Sequence, residues 1–162
     1  MAPVTPATPP TAPVTSSPAS TPRSRPLPVP DELSAPYWEA AARHVLAVAR
    51  CSRCERLVMP PGQACPHCHT PDPDFTFEQV SGRGTVRSWT VMRQSFLPGF
   101  SEEVPFVLVD VELAEQPELR LIGRLLDGPD APLSVGAPVT VAFEDVAEGV
   151  SIPAFTLGGE TA

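Results

Sequence analysis

Apolar and polar positions change their rhythm twice along this chain of 162 residues. Over residues 31–44, Tyr37, Trp38 and Ala41, continued by Val45, form an apolar stripe. Ser34 stands ready as an N-cap, Pro36 falls in the first turn, and residues 39–43 are good helix formers, so a short helix is expected. Residues 45–49 then read as a strand running into a cysteine. Beyond Pro71 and Pro73 the period becomes two. It predicts strands at 75–80, 84–93, 105–113, 119–126, 138–143 and 152–157, separated by Gly, Pro and Asp clusters at 97–99, 127–132 and 148–149. Five or six short strands with no helix between them predict a mainly β fold closed as a small antiparallel barrel or sandwich.

Proline redraws the boundaries of what can fold. Ten of the 23 prolines lie in residues 1–30, where Pro, Ser, Thr and Ala leave too little apolar bulk to offset the entropy of ordering the chain. Residues 1–30 are therefore expected to be a disordered tail, and 159–162 a short one at the other end. The remaining length suits one ordinary domain or two small modules. No apolar run approaches the roughly 20 residues of a membrane span. The N-terminus has neither a basic n-region nor a continuous apolar h-region, so a cytoplasmic location is expected.

Charge weighs against one class of partner. The net charge is -8, every one of the 11 basic residues is arginine, and the acids concentrate after residue 100. A barrel half this acidic repels the phosphate backbone on which nucleic-acid affinity rests. The arginines of residues 43–93 can still serve a small phosphorylated ligand.

All four cysteines fall in two C-x-x-C pairs, Cys51/Cys54 and Cys65/Cys68. Each such turn can present both sulfurs to one ion, so the spacing points to a structural four-thiolate metal site, with zinc favoured over iron. A hairpin over residues 56–63 can close the gap between the pairs. Disulfides and a thioredoxin-like redox pair fit less well, for want of a secretion signal and of a parallel-sheet pattern. His67 and His69 can also ligate, but the matched spacing favours sulfur at all four positions. A closed four-thiolate site leaves no position for a reactive water. It also consumes every cysteine, and no histidine follows residue 69, so no nucleophilic machinery remains for the β half.

The order of these parts is informative. Tyr37-Trp38-Glu39 precedes the knuckles Cys51-Ser-Arg-Cys54 and Cys65-Pro-His-Cys68, which flank Met59-Pro60-Pro61. Then come Gly82-Arg-Gly84-Thr-Val-Arg-Ser-Trp89, the segment from Val104-Pro105 to Val111-Glu112, Gly123-Arg124-Leu125 and Val135-Gly136-Ala-Pro-Val139. The sequence resembles the small rubredoxin-like zinc-ribbon plus OB-fold proteins that accompany acyl-CoA enzymes, over residues 31–157. The resemblance implies an N-terminal helix (31–44), a rubredoxin-like zinc ribbon (45–74) and a five-stranded OB-fold barrel (75–158). It further implies a non-catalytic subunit in a hetero-oligomer with a thiolase-like or ketosynthase-like protein, such as an aldolase of steroid or lipid side-chain degradation. Such a subunit helps form the site or channel of a CoA thioester shared with the partner. The metal role carries over to Cys51, Cys54, Cys65 and Cys68, and no catalytic residue carries over. Glycine often follows the second cysteine of such knuckles, whereas Glu55 and His69 stand there in this chain.

Within that frame Arg83, Arg87 and Arg93 are candidate contacts for the CoA phosphates. Trp38, Phe96, Leu97 and Phe100 are candidates to face the partner or the acyl chain, the loop residues because apolar side chains are unusual between strands. Helix packing competes for Trp38, and folding back onto the barrel mouth competes for the loop. Two other readings stay open at this stage. A zinc ribbon and an OB-fold can each bind nucleic acid, given a positive groove and stacking aromatics. A four-cysteine site with iron can serve one-electron transfer.

Overall fold

The computed structural model describes residues 25–158. The expected tails therefore lie outside the described residues, except for 25–30. Helix α1 (Ala35–Ala41) is followed by β1 (Ala47–Cys51), β2 (Leu57–Val58), β3 (Phe75–Gln79), β4 (Arg83–Met92), β5 (Phe106–Leu113), β6 (Arg120–Leu125), β7 (Pro138–Ala147) and β8 (Val150–Leu157). The first three strands form a sheet in the order β2-β1-β3, and the other five close a barrel in the order β4-β5-β6-β8-β7. This is a zinc ribbon joined to an OB-fold. Among the described residues no helix is long and apolar enough to cross a membrane.

The helix is shorter than its apolar stripe suggests. Residues 31–34 are a turn in which Ser34 N–H donates to Asp31 Oδ1 at 2.7 Å and Asp31 N–H donates to Ser34 Oγ at 3.0 Å. Ser34 occupies the N-cap position, yet its hydroxyl makes no cap bond because Asp31 has taken it. At the other end His44 adopts a left-handed backbone, with φ 57°, and turns the chain into β1.

Strand β3 bridges the two parts. It runs antiparallel to β1, from Ala47 opposite Gln79 to Cys51 opposite Phe75, so its hydrogen bonds go to the three-stranded sheet and the closed ring of the barrel begins at β4. Alternation reveals a strand but not its partner. Strands β7 and β8 run further than their alternation implied and meet at Glu148–Gly149, where Gly149 takes the left-handed turn position at φ 70°.

Inward residues at period two fill the barrel. Val86, Val107, Val109, Val111, Leu113, Leu125, Val139 and Phe155 are all buried, each contributing about 1.5–3 kcal/mol of burial. Tyr37, Leu46, Val48, Leu57 and Val80 belong to the same apolar cluster, so ribbon and barrel share one core. A second small cluster, Cys51, Val58 and Cys65, surrounds the metal knuckles.

Residues 25–30 depart from the expected tail. Arg25 donates from Nε to Glu103 Oε1 at 2.6 Å, pairs through Nη2 with the other oxygen of Glu103, and stands with its guanidinium 4.9 Å from the Phe100 ring centre. One arginine thus ties this proline-rich stretch to the loop before β5. Composition could not show that, since the partner lies 78 positions away.

Candidate functional site

Two knuckles of matching geometry build the sulfur site. In the first, Glu55 N–H bonds Cys51 C=O at 2.9 Å and Cys51 N–H bonds Arg56 C=O at 3.0 Å. In the second, His69 N–H bonds Cys65 C=O at 2.9 Å and Cys65 N–H bonds Thr70 C=O at 3.1 Å. Glu55 and His69 stand where glycine is common and still take the left-handed conformation, at φ 60° and 56°. Arg50 supports the first knuckle by donating to the Glu55 carbonyl while gripping Glu78 of β3 through Nε at 2.6 Å and Nη2 at 2.7 Å.

The four sulfurs lie within 4.8 Å of one another. Cys51 and Cys68 are 3.9 Å apart, and Cys54 and Cys65 are 3.7 Å apart. A tetrahedral zinc with bonds of about 2.3 Å sets its sulfurs about 3.8 Å apart. Two of the pairs already have that spacing, and closing the wider ones by at most about 1 Å would complete a tetrahedral site, so the residues present fit such an ion. Their acidities point the same way. Burial works to raise the Cys65 thiol, but N–H groups of Cys68 and His67 and the neighbouring sulfurs bring it down to about 7. The Arg56 N–H favours the Cys54 thiolate, yet desolvation and the three other sulfurs push that thiol up to about 11. Four thiolates this close need a cation to ionise together. His67 directs Nε2 at the Leu57 carbonyl, 3.3 Å away, and His69 is exposed, so neither joins the cluster.

Residues 38–74 match the family model described as the ChsH2 rubredoxin-like zinc ribbon domain, and residues 77–144 match the ChsH2 C-terminal OB-fold domain. The solved structure of an Ltp2-ChsH2(DUF35) aldolase contains a chain 32% identical to this one. The two superpose with a TM-score of 0.68, covering 80% of this chain and 98% of that one. The chain belongs to the ChsH2 (DUF35) family. A DUF35 protein of unknown function from Sulfolobus solfataricus, 13% identical with a TM-score of 0.53, shares the fold over 78% of this chain and 86% of its own. Two curated relatives are longer proteins. A probable enoyl-CoA hydratase alpha subunit of Thermomonospora curvata is 33% identical over 81% of this chain. The 3-oxo-4,17-pregnadiene-20-carboxyl-CoA hydratase alpha subunit of Mycobacterium tuberculosis is 31% identical over 67% of it. This chain spans 39% and 33% of their respective lengths.

The remaining expected site residues separate into groups. Trp38 packs against the shared core, edge-on to Tyr37 at 4.9 Å, and lines a cavity of about 240 Å³ with Pro28, Pro30, Ala42 and Val150. Phe100 turns inward onto Phe106, ring centres 6.1 Å apart. Phe96 and Leu97 point outward, 88% and 60% exposed. Arg83, Arg87 and Arg93 do not converge. All three follow the line of β4, where a rise of about 3.3 Å per residue puts Arg83 about 13 Å from Arg87 and Arg87 about 20 Å from Arg93.

Sequence reasoning missed two constellations whose parts are far apart in the chain. Gln116, at the tip of the β5–β6 hairpin, accepts from Leu57 N–H at 2.9 Å and donates to Leu57 C=O at 3.0 Å, acting as one residue of a strand beside β2. Arg25, Glu103, Arg124 and Glu144 form a four-membered ion network, with Arg124 also 5.1 Å from the Phe106 ring centre. No local spacing announces either.

Proposed function

We propose that this chain is a non-catalytic subunit of an acyl-CoA-processing complex. It docks on a thiolase-like partner, an aldolase, thiolase or acyltransferase, and its barrel helps wall the site or channel of the CoA thioester. The pathway class is steroid or lipid side-chain breakdown. The observation that carries this reading is the match to nearly the whole of a chain in the Ltp2-ChsH2(DUF35) aldolase. The relatives named as CoA hydratase subunits support the same ligand class.

In this reading Cys51, Cys54, Cys65 and Cys68 hold a structural zinc in a reducing, cytoplasmic setting. The ion fixes the ribbon and takes no part in chemistry. The exposed Phe96–Leu97 tip, held at its base by Phe100 and Glu103, supplies apolar surface toward the partner.

The test is co-expression of the tagged chain with a thiolase-like protein taken from among its gene neighbours. The two are expected to co-purify, and the partner's turnover of a CoA thioester is expected to drop when this chain is left out. Recovery of a monomer alone, together with full activity of the unaccompanied partner, overturns the proposal. Elemental analysis is expected to find one zinc per chain in a colourless protein. Red, iron-loaded protein would favour the electron-carrier reading.

A further inference from the structure

Strand β4 changes neighbours part-way along. On one side it pairs with β5 over its whole length. On the other it pairs with β7 only from Arg83 to Thr85. The last contact on that side is at Val86, whose N–H bonds Ala137 C=O at 2.9 Å and whose C=O accepts from Gly136 N–H at 2.7 Å. A β-bulge at Arg87 follows, since Val86 lies opposite Val111 and Ser88 opposite Asp110.

The register gives the direction of every backbone group beyond the bulge. Ala114 N–H bonds Arg83 C=O, while Leu113 N–H bonds Leu119 C=O. Even-numbered residues of β5 therefore face β4, and odd-numbered ones face β6. Ser88 and Thr90, opposite Asp110 and Leu108, bond to β5. Trp89 and Val91, opposite Val109 and Val107, turn their N–H and C=O groups away from it. Among the described residues none of these four groups has a hydrogen-bond partner. Residues 87–90 are all exposed, and Trp89 keeps 41% of its surface in solvent although it faces the same way as the buried Val109.

An edge that alternates donor and acceptor at every second residue is complementary to an extended backbone. Its flanks select the charge of that backbone. Arg93 has no acidic partner among the described residues, and the half-exposed Arg87 lies 3.7 Å from Glu112. Asp110 on β5 is taken up by Arg120. We infer that the open edge of β4 at Trp89 and Val91 receives an extended segment of the partner protein as an added strand. That segment carries apolar residues over Trp89 and Val91 and acids toward Arg87 and Arg93. The inference rests on the partner-subunit reading and names the surface through which docking occurs.

The test uses the co-expressed complex with the thiolase-like protein. In amide-resolved hydrogen exchange, Trp89 and Val91 N–H should become protected in the complex, while Thr90, already bonded to β5, should change little. V91P removes one outward N–H at a position where an edge strand tolerates proline. It should lower the melting temperature of the isolated chain only by the lost packing of the half-buried Val91 and weaken the complex about tenfold, the equivalent of one hydrogen bond of about 1.4 kcal/mol. R93E should weaken it further at low salt than at high salt. A complex that forms with Trp89 and Val91 still exchanging freely overturns this inference and leaves the subunit reading standing. Failure of the wild-type pair to associate overturns both. Should V91P unfold the chain, the exchange measurement on wild type decides alone.

Discussion

Gln116 offers the sharpest test of how ribbon and barrel are fastened. Leu57 is 4% exposed, and its peptide groups turn away from β1 toward the carboxamide of Gln116. Gln116→Ala removes both bonds. The Leu57 carbonyl keeps His67 at 3.3 Å, but its N–H is left with no partner. An orphaned buried donor costs about 1–3 kcal/mol, and the second bond adds up to about 1. The half-exposed position of Gln116 lets water in after truncation, which brings the expected loss to about 2 kcal/mol. For a domain of this size that is a fall of roughly 6–10 °C in melting temperature, read by circular dichroism on metal-loaded protein. Gln116→Glu separates hydrogen bonding from packing. Ionised, its carboxylate opposes the Leu57 carbonyl; protonated, it restores the donor. Its folded pKa is therefore raised, and its deficit relative to wild type should shrink as pH falls below that pKa and grow as pH rises through it. A Q116A melting temperature within about 1 °C of wild type, with unchanged exchange at Leu57 N–H, would refute the fastening.

Three further outcomes are expected. Cys51→Ser or Cys65→Ser should release the metal and unfold the ribbon while the barrel keeps its β-sheet signal, checked by elemental analysis and circular dichroism; retained stoichiometric metal contradicts the assignment. Burial alone would raise the Glu103 carboxyl, but hydrogen bonds from Arg25 and Arg124 overrule it and hold it below the usual carboxylate range. Its stabilising contribution, about 1 kcal/mol for a partly exposed network, is thus present above the ordinary glutamate pKa and lost as pH falls through the depressed folded one. Glu103→Gln should flatten that acid limb in denaturant titrations, and an unchanged limb argues against the network. Gly123→Ala would place a methyl 2.9 Å from the buried Phe155 ring and 3.2 Å from the Pro153 carbonyl oxygen. It should cost about 1–3 kcal/mol by overpacking, and a neutral substitution would show that Phe155 can yield.

What the sequence disclosed and what it hid differ in range along the chain. The metal ligands were legible because each C-x-x-C turn is complete within four residues, and the two knuckles need only one hairpin, β1–β2, to bring them together. The strands were legible because alternation is local. Their partners were not, since nothing in the alternation of β3 tells that it hydrogen-bonds to β1 and not to a barrel strand. The same limit governs β4. Its arginines are near neighbours in the sequence, yet an extended strand spaces them about 13 and 20 Å apart along its length. The bulge at Arg87 then turns the strand off β7 and leaves Trp89 and Val91 with open peptide groups. A one-residue irregularity in register thus opens an edge suited to a protein strand beside arginines suited to an anion. The arginines keep their charge in either case. Pairing decides which ligand that charge can address.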